Sequence, residues 1–280
     1  MKIHHLNCGT MCPWIGQFQP HLISEKLCCH CLLIETGEGL VLVDTGLSRM
    51  DLENPSLRLG LLGKVLQFKG GTEESAIERI QRLGFDPKDV RHIVLTHLDP
   101  DHAGGIYDFP WAEIHTLRPE YQAALHPTTL SQKHRYRVSH WGKDTKWVTH
   151  ETQNGEAWFG FNSVRGLKGI PPELLLIPLF GHTPGHMGVA VQTAEGWLLH
   201  AGDCYYDRSE ISESHIKAAP WRAIGQILHD DYKIARKNQK RLRELQGWHP
   251  EVSVFCSHDM NELLRMQVWT ERQATQFASI

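Results

Sequence analysis

The chain has 280 residues, room for one large domain or two small ones, and its 41% hydrophobic and 22% charged residues describe an ordinary globular composition with enough apolar side chains for a sizeable core. Disorder and collagen-like structure are excluded, and a net charge of −3 with a pI near 6.7 leaves no positive field to hold a nucleic-acid backbone. The unusual number is 19 histidines: neutral imidazole is the commonest protein metal ligand, so the question becomes where they sit.

The segment Met1–Asn7 lacks the apolar stretch of a secretory signal. The apolar segments around Leu40–Val43 and Leu174–Phe180 fall short of the ~18 residues that span a bilayer. The expectation is a cytoplasmic protein with a small-molecule substrate and neither nucleic acid nor membrane as partner; a homodimer stays open. Seven cysteines is an odd count, and Cys28, Cys29 and Cys31 crowd ahead of an apolar run, a poor layout for disulfides. Reduced thiols are expected, with Cys28-x-x-Cys31 structural because no second pair accompanies it.

No repeat or low-complexity tract marks a linker, which favours a single domain over 1–280. Strands are expected at Cys31–Ile34 and Leu40–Val43, joined by a hairpin connection, the second ending in Asp44-Thr45-Gly46. From Thr72 to Leu83 the residues Ala76, Ile77, Ile80 and Leu83 recur at helical spacing, with Glu73 and Glu74 in the first turn and Gly84 after the end. A buried-type strand at His92–Thr96 then breaks at Pro100 and Gly104-Gly105. Further strands are predicted at Ala112–Thr116, Leu174–Pro178, Met187–Val191, Trp197–His200 and Val252–Cys256, and helices at Pro119–Leu125 and Tyr232–Leu245. Between them, residues 126–169 show little periodicity and read as an insertion near the site, with His134, His140 and His150 on its surface.

The informative segment is Thr96-His97-Leu98-Asp99-Pro100-Asp101-His102-Ala103-Gly104-Gly105, directly after an apolar strand. Ligands at alternate positions can converge on one side of a tight loop, and an adjacent Asp-His pair can serve a second ion nearby. The bland alternative is a polar loop whose histidines merely cap a strand. Three more segments weigh against it. Gly181-His182-Thr183-Pro184-Gly185-His186, Asp203 and His258 each follow a predicted strand, where α/β layers collect site residues.

The order H-x-D-x-D-H, G-H-T-P-G-H, strand-end Asp and last His resembles the metallo-β-lactamase-fold hydrolases, and Val43-Asp44-Thr45-Gly46 fits as well. Within them the motifs look most like the N-acyl homoserine lactone lactonases, through His97–Gly105, Tyr121–His126, Asp203 with Tyr206, and Phe255–Asp259. The resemblance implies an α/β fold, a four-layer αβ/βα sandwich of two mixed sheets flanked by helices. It also implies two divalent ions: His97 and His182 at the first, Asp101, His102 and His258 at the second, and Asp203 bridging.

The sequence departs from the family at Asp99, where a histidine is usual. If Asp99 is a ligand, then Asp99, Asp101 and Asp203 with a bridging hydroxide cancel the charge of two divalent ions, whereas the usual site keeps one positive charge. Bound water should then be less acidic, and iron or manganese more competitive with zinc. Asp44 fits either an acceptor that orients a ligating histidine or a turn cap, and His186 reads as structural.

These readings combine into a zinc-dependent hydrolase of the quorum-quenching lactonase type, with iron or manganese as alternatives. A bridging hydroxide would attack the carbonyl of a lactone, ester or thioester, Asp101 would shuttle the proton and Tyr206 would donate to the substrate oxygen. The rivals are an iron oxidoreductase, flavodiiron-like or a sulfur dioxygenase, and a phosphodiester hydrolase. The last is disfavoured because the loops His97–Gly105 and Gly181–Met187 carry no basic residue.

Overall fold

The computed structural model describes residues 1–20, 23–152, 155–164, 167, 169–212 and 215–277. Among these residues, alternating and continuous apolar runs give twelve strands: β1 Lys2–Met11, β2 Leu27–Thr36, β3 Gly39–Val43, β4 Val90–Val94, β5 Glu113–Leu117, β6 Lys146–His150, β7 Glu156–Trp158, β8 Phe161–Ser163, β9 Leu174–Pro178, β10 Met187–Thr193, β11 Gly196–His200 and β12 Val252–Phe255. The first six form one sheet in the order β1-β2-β3-β4-β5-β6, antiparallel from β1 to β3 and parallel from β3 onward. A second sheet runs β12-β11-β10-β9, antiparallel except for the parallel pair β11–β12. Strands β7 and β8 form a separate hairpin.

Strands β2, β3 and β9 are buried on both faces, which is why they read as unbroken apolar runs rather than alternating ones. Leu32, Ile34, Val41, Val43 and Val94 of the first sheet meet Leu174, Leu176, Val189, Val191 and Phe255 of the second. On its other face the first sheet packs Leu33, Leu42, Ile93 and Ile114 against Ile77 and Ile80 of the helix Ala76–Arg82. The second sheet packs Leu175, Ile177, Ala190 and Val254 against Leu242 and Leu245 of the helix Tyr232–Trp248. Helix, sheet, sheet and helix are the four layers expected.

Several predicted elements end elsewhere, for identifiable reasons. The helix predicted from Thr72 begins only at Ala76, behind a 3-10 turn Thr72–Glu74. Glu74 is drawn to β1, where its carboxylate accepts from Thr10 N and Oγ1 at 2.7 and 2.8 Å. Strand β4 stops at Val94 rather than Thr96, because Thr96 N donates to the Asp44 side chain at 2.8 Å instead of to a neighbouring strand.

The reading of 126–169 as an irregular surface insertion needs correction. Lys146–His150 is β6, hydrogen-bonded to β5, and Leu130–Arg135 is a helix capped by Thr129 Oγ1. His140 is buried beside Asp51, and His150 is half-buried in the sheet. Residues 153, 154, 165, 166 and 168 of this stretch lie outside the described residues. Strand β1 and the helices His215–Leu228 and Met260–Phe277 were not predicted. In β1 the inward positions include His5, which hides the apolar alternation. Among the described residues, no helix is long and apolar enough to cross a membrane.

Candidate metal centre

The residues singled out in the sequence gather at one edge of the two sheets. Asp44 follows β3, the turn Thr96–His102 follows β4, His182 lies between β9 and β10, Asp203 follows β11 and His258 follows β12. Pro100 opens the short helix Pro100–Ala103, whose tight turn brings Asp101 and His102 around beside each other, and Ala103 N closes it on Asp99 O at 2.8 Å. Three groups of ligand atoms result, each lying within 4.8 Å: His97, Asp99 and His182; His97, His102 and Asp203; Asp101, His102 and His258. All these side chains are buried except Asp99, which is partly exposed.

The tautomers follow from the partners. Thr96 Oγ1 donates to Asp44 Oδ2 at 2.8 Å, so it must accept from His97 Nδ1 at 3.0 Å, which leaves a lone pair on His97 Nε2. His102 Nδ1 donates to Asp44 Oδ2 at 2.8 Å and His258 Nδ1 donates to the Cys28 carbonyl at 2.7 Å, with the same consequence. His182 Nε2 faces Arg135 Nη1 at 2.8 Å, and arginine can only donate. The Nε2 lone pairs of His97, His102 and His258 therefore face carboxylates, and that of His182 accepts from Arg135 beside Asp99.

Acceptor faces acceptor throughout: His258 Nε2 stands 3.0 Å from Asp203 Oδ2, His102 Nε2 is 3.2 Å from Asp203 Oδ1, and the two imidazole nitrogens are 3.4 Å apart. Such contacts need a cation or a proton between them. His97 Nε2, Asp99 Oδ1 and Asp203 Oδ1 are buried without a hydrogen-bond partner. Burial disfavours charge on His102, yet Asp203, Asp44 and Asp101 outweigh it and hold its proton affinity well above the usual imidazole range. Burial likewise presses the Asp203 carboxyl upward, and His258 and His102 reverse this and keep it well below the carboxylate range. This donor set fits divalent cations: nitrogen and oxygen ligands whose carboxylates draw positive charge, a proton or a metal, into the gap between them, with orphaned atoms aimed inward.

Asp203 lies between the groups, its carboxylate within 4.0 Å of His97, 3.7 Å of His182 and 3.0 Å of His258. Gly202 before it has φ +55, and a Cβ there would sit 2.5 Å from His186 Nε2. His186 itself donates to Leu179 O and accepts from Asp203 N, which orients the aspartate and accounts for the second histidine of its loop. Asp44 takes both of its weighed roles at once, closing the turn after β3 at φ +54 and orienting His97, through Thr96, and His102. Tyr206 Oη lies 3.1 Å from His182 Nδ1, stacked on His258 and His229.

Three participants escaped the sequence. Arg135, at the end of the helix Leu130–Arg135, places Nη1 2.5 Å from Asp99 Oδ2. The absence of basic residues from the motif loops was thus no guide to the site: a cation arrives from elsewhere. Burial works against the Asp99 charge, and Arg135 and His97 more than restore it, holding the carboxyl well below its usual range. His229 Nδ1 is 3.2 Å from His182 Nδ1. Glu120 accepts from Leu98 N at 3.0 Å, Thr183 Oγ1 at 2.6 Å and Gly185 N at 3.0 Å, tying the His97 loop to the His182 loop.

Comparison with known proteins gives the family. Residues 27–258 match the model of the metallo-beta-lactamase superfamily. A probable metallo-hydrolase of Mycobacterium tuberculosis is 41% identical over 260 residues, covering 92% of this chain and 80% of its own. An N-acyl homoserine lactonase of Bacillus thuringiensis is 27% identical over 244 residues, covering 86% and 85%. In structure, the chain is similar to an N-acyl homoserine lactone hydrolase solved with N-hexanoyl-L-homoserine at its catalytic metal centre, with a TM-score of 0.69 at 23% identity over 93% of this chain and 94% of the other. A dizinc quorum-quenching lactonase shares the fold at a TM-score of 0.56, 19% identical over 91% and 86%. The chain belongs to the metallo-beta-lactamase superfamily, on a family match that spans every strand from β2 to β12 and ends on His258.

Proposed function

We propose that this metallo-hydrolase opens a carbonyl compound, a lactone, ester or thioester, with two divalent ions held side by side. The carrying observation is the convergence of four histidines and three aspartates in three groups of ligand atoms, with Asp203 within reach of both outer groups. His97, Asp99 and His182 would hold one ion, Asp101, His102 and His258 the other, and Asp203 would be shared. Bound divalent metals supply Lewis acidity toward a carbonyl oxygen and lower the pKa of water toward neutrality.

The chain's own residues do the rest. Asp101 retains 8% exposure, and its Oδ2 lies 3.6 Å from His258 Nε2, so it can carry a proton between the site and solvent. Tyr206, hydrogen-bonded at His182 Nδ1, fixes that ring and presents its hydroxyl at the same wall. Arg135 returns the positive charge that Asp99 removes relative to a histidine, and a largely covered guanidinium beside the site suits a substrate with an anionic group. That residue also gives the phosphodiester reading its footing.

The experiment combines metal analysis of freshly purified protein with turnover of lactones, thioesters and phosphodiesters, for the parent chain and Asp203→Ala. The expected result is two divalent ions, zinc foremost, turnover concentrated on lactones or thioesters, and loss of both in a folded Asp203→Ala. Full turnover in that variant would remove Asp203 from the centre. Activity confined to phosphodiesters would replace the carbonyl reading, and iron with oxygen consumption would replace hydrolysis.

A further inference from the structure

Away from this centre, the inner face of the first sheet carries a second group of metal-ligating side chains on neighbouring parallel strands. The ladder sets His92 of β4 opposite Glu113 of β5, and His115 lies two residues further along β5 on the same face. His92 Nδ1 is 3.0 Å from His115 Nε2 and 3.7 Å from Glu113 Oε2, and all three ligand atoms lie within 4.8 Å of one another. We propose that His92, Glu113 and His115 form a separate site for one divalent transition-metal ion, zinc or a similar nitrogen-preferring cation.

Ligands about 2.0–2.1 Å from a tetrahedral ion stand roughly 3.3 Å apart, and the 3.0 and 3.7 Å separations bracket that figure. His115 is fully buried, and its outer nitrogen Nδ1 is 3.0 Å from Nε2 of His150 on β6. With Nδ1–H donating to His150, the lone pair is on Nε2, the atom that faces His92 and Glu113. This is the outer hydrogen bond that ligating histidines need.

A chain of three hydrogen-bonded imidazoles would account for the two nitrogen contacts. It gives no role to Glu113, whose carboxylate stands 3.7 Å from His92 Nδ1, beyond hydrogen-bonding range. Its side chain keeps 45% exposure, which leaves a path for the ion and room for water as a further ligand. Gly169 packs against the same histidine, where a Cβ would lie 2.4 Å from His92 Cε1. An ion here would cross-link β4 to β5 and fix the ring against which Gly169 rests. The donors are side chains of strands already in register, so little ordering is needed for binding.

The test counts zinc by elemental analysis in the full chain after equilibration with Zn²⁺ and removal of free metal, for the parent, Glu113→Gln and His92→Gln. The expected result is one zinc per chain fewer in each variant. The His92 and His115 ring resonances of the parent should shift on zinc addition, and turnover should be unchanged, because none of these residues belongs to the centre of His97 and His258. An equal zinc count in parent and variants, with the two rings unperturbed by zinc, overturns the proposal. Loss of zinc from the other centre would instead appear as lost turnover, so failure of one site is distinguishable from failure of the other.

Discussion

Asp44 shows how much one residue can set. Its carboxylate accepts from Thr96 N, Thr96 Oγ1 and His102 Nδ1, each at 2.8 Å, and so fixes two histidine tautomers. Asn tolerates the same positive φ but supplies a donor where an acceptor is required. Asp44→Asn should therefore keep the fold and weaken metal affinity about 10–100-fold, read by chelator competition. At Asp99 the ion pair with Arg135 gives a second expectation. Removing the guanidinium by Arg135→Ala frees His182 Nε2 and takes away a competing cation. Metal affinity at the His97 group should rise while efficiency toward anionic substrates falls, measured by metal titration and by kcat/KM on charged and neutral substrate pairs. Unchanged values in both would show that Arg135 only packs. The candidate ligands were legible in the sequence because they cluster in short motifs after apolar runs. Arg135, Glu120 and His229 were not: each reaches the site across tens of residues, and nothing near them in sequence marks the distant partner.

Elements succeed or fail as predictions according to what their ends touch. Leu174–Pro178 matches the expected strand at both ends because its ladder with β10 runs from one end to the other. The ends of β4 and of the helix beginning at Ala76 shifted because Asp44 and Glu74 side chains captured or diverted backbone groups from other segments. The strand-to-loop junction at β11 depends instead on one backbone conformation. Gly202→Ala would force a side chain into φ +55 and against His186, which holds Asp203 N. The expected cost is roughly 1–3 kcal/mol of stability, read from urea melts, together with reduced metal stoichiometry because Asp203 is displaced. A variant with parent stability and full metal content would refute that coupling.

At the scale of the whole molecule, stability depends on groups the reaction does not use. Burial drives the Glu210 carboxyl up to about 7 from 4.5, against hydrogen bonds from Tyr206 N, Asp207 N and Gln239. A raised folded-state value means that the native chain holds this proton more tightly than the unfolded one. Its contribution is full below about pH 4.5 and is lost as pH rises through about 7, on the order of 3 kcal/mol in all. Urea midpoints across that window should decline for the parent and flatten for Glu210→Gln, which keeps an oxygen for Tyr206 N. An identical slope in both would assign the pH dependence elsewhere. The sequence by itself determined where most core strands and several helices lie, since apolar runs and helical spacing are local patterns that burial must satisfy, and which side chains are candidate ligands, since motif residues lie a few positions apart; the layer order followed from the family resemblance those motifs carry. Only the tertiary structure decided which lone pairs face inward, that a distant arginine neutralises Asp99, and that histidines on three strands line up at His92, His115 and His150. Those facts depend on strand register and on packing between segments far apart in the chain, which no local pattern encodes.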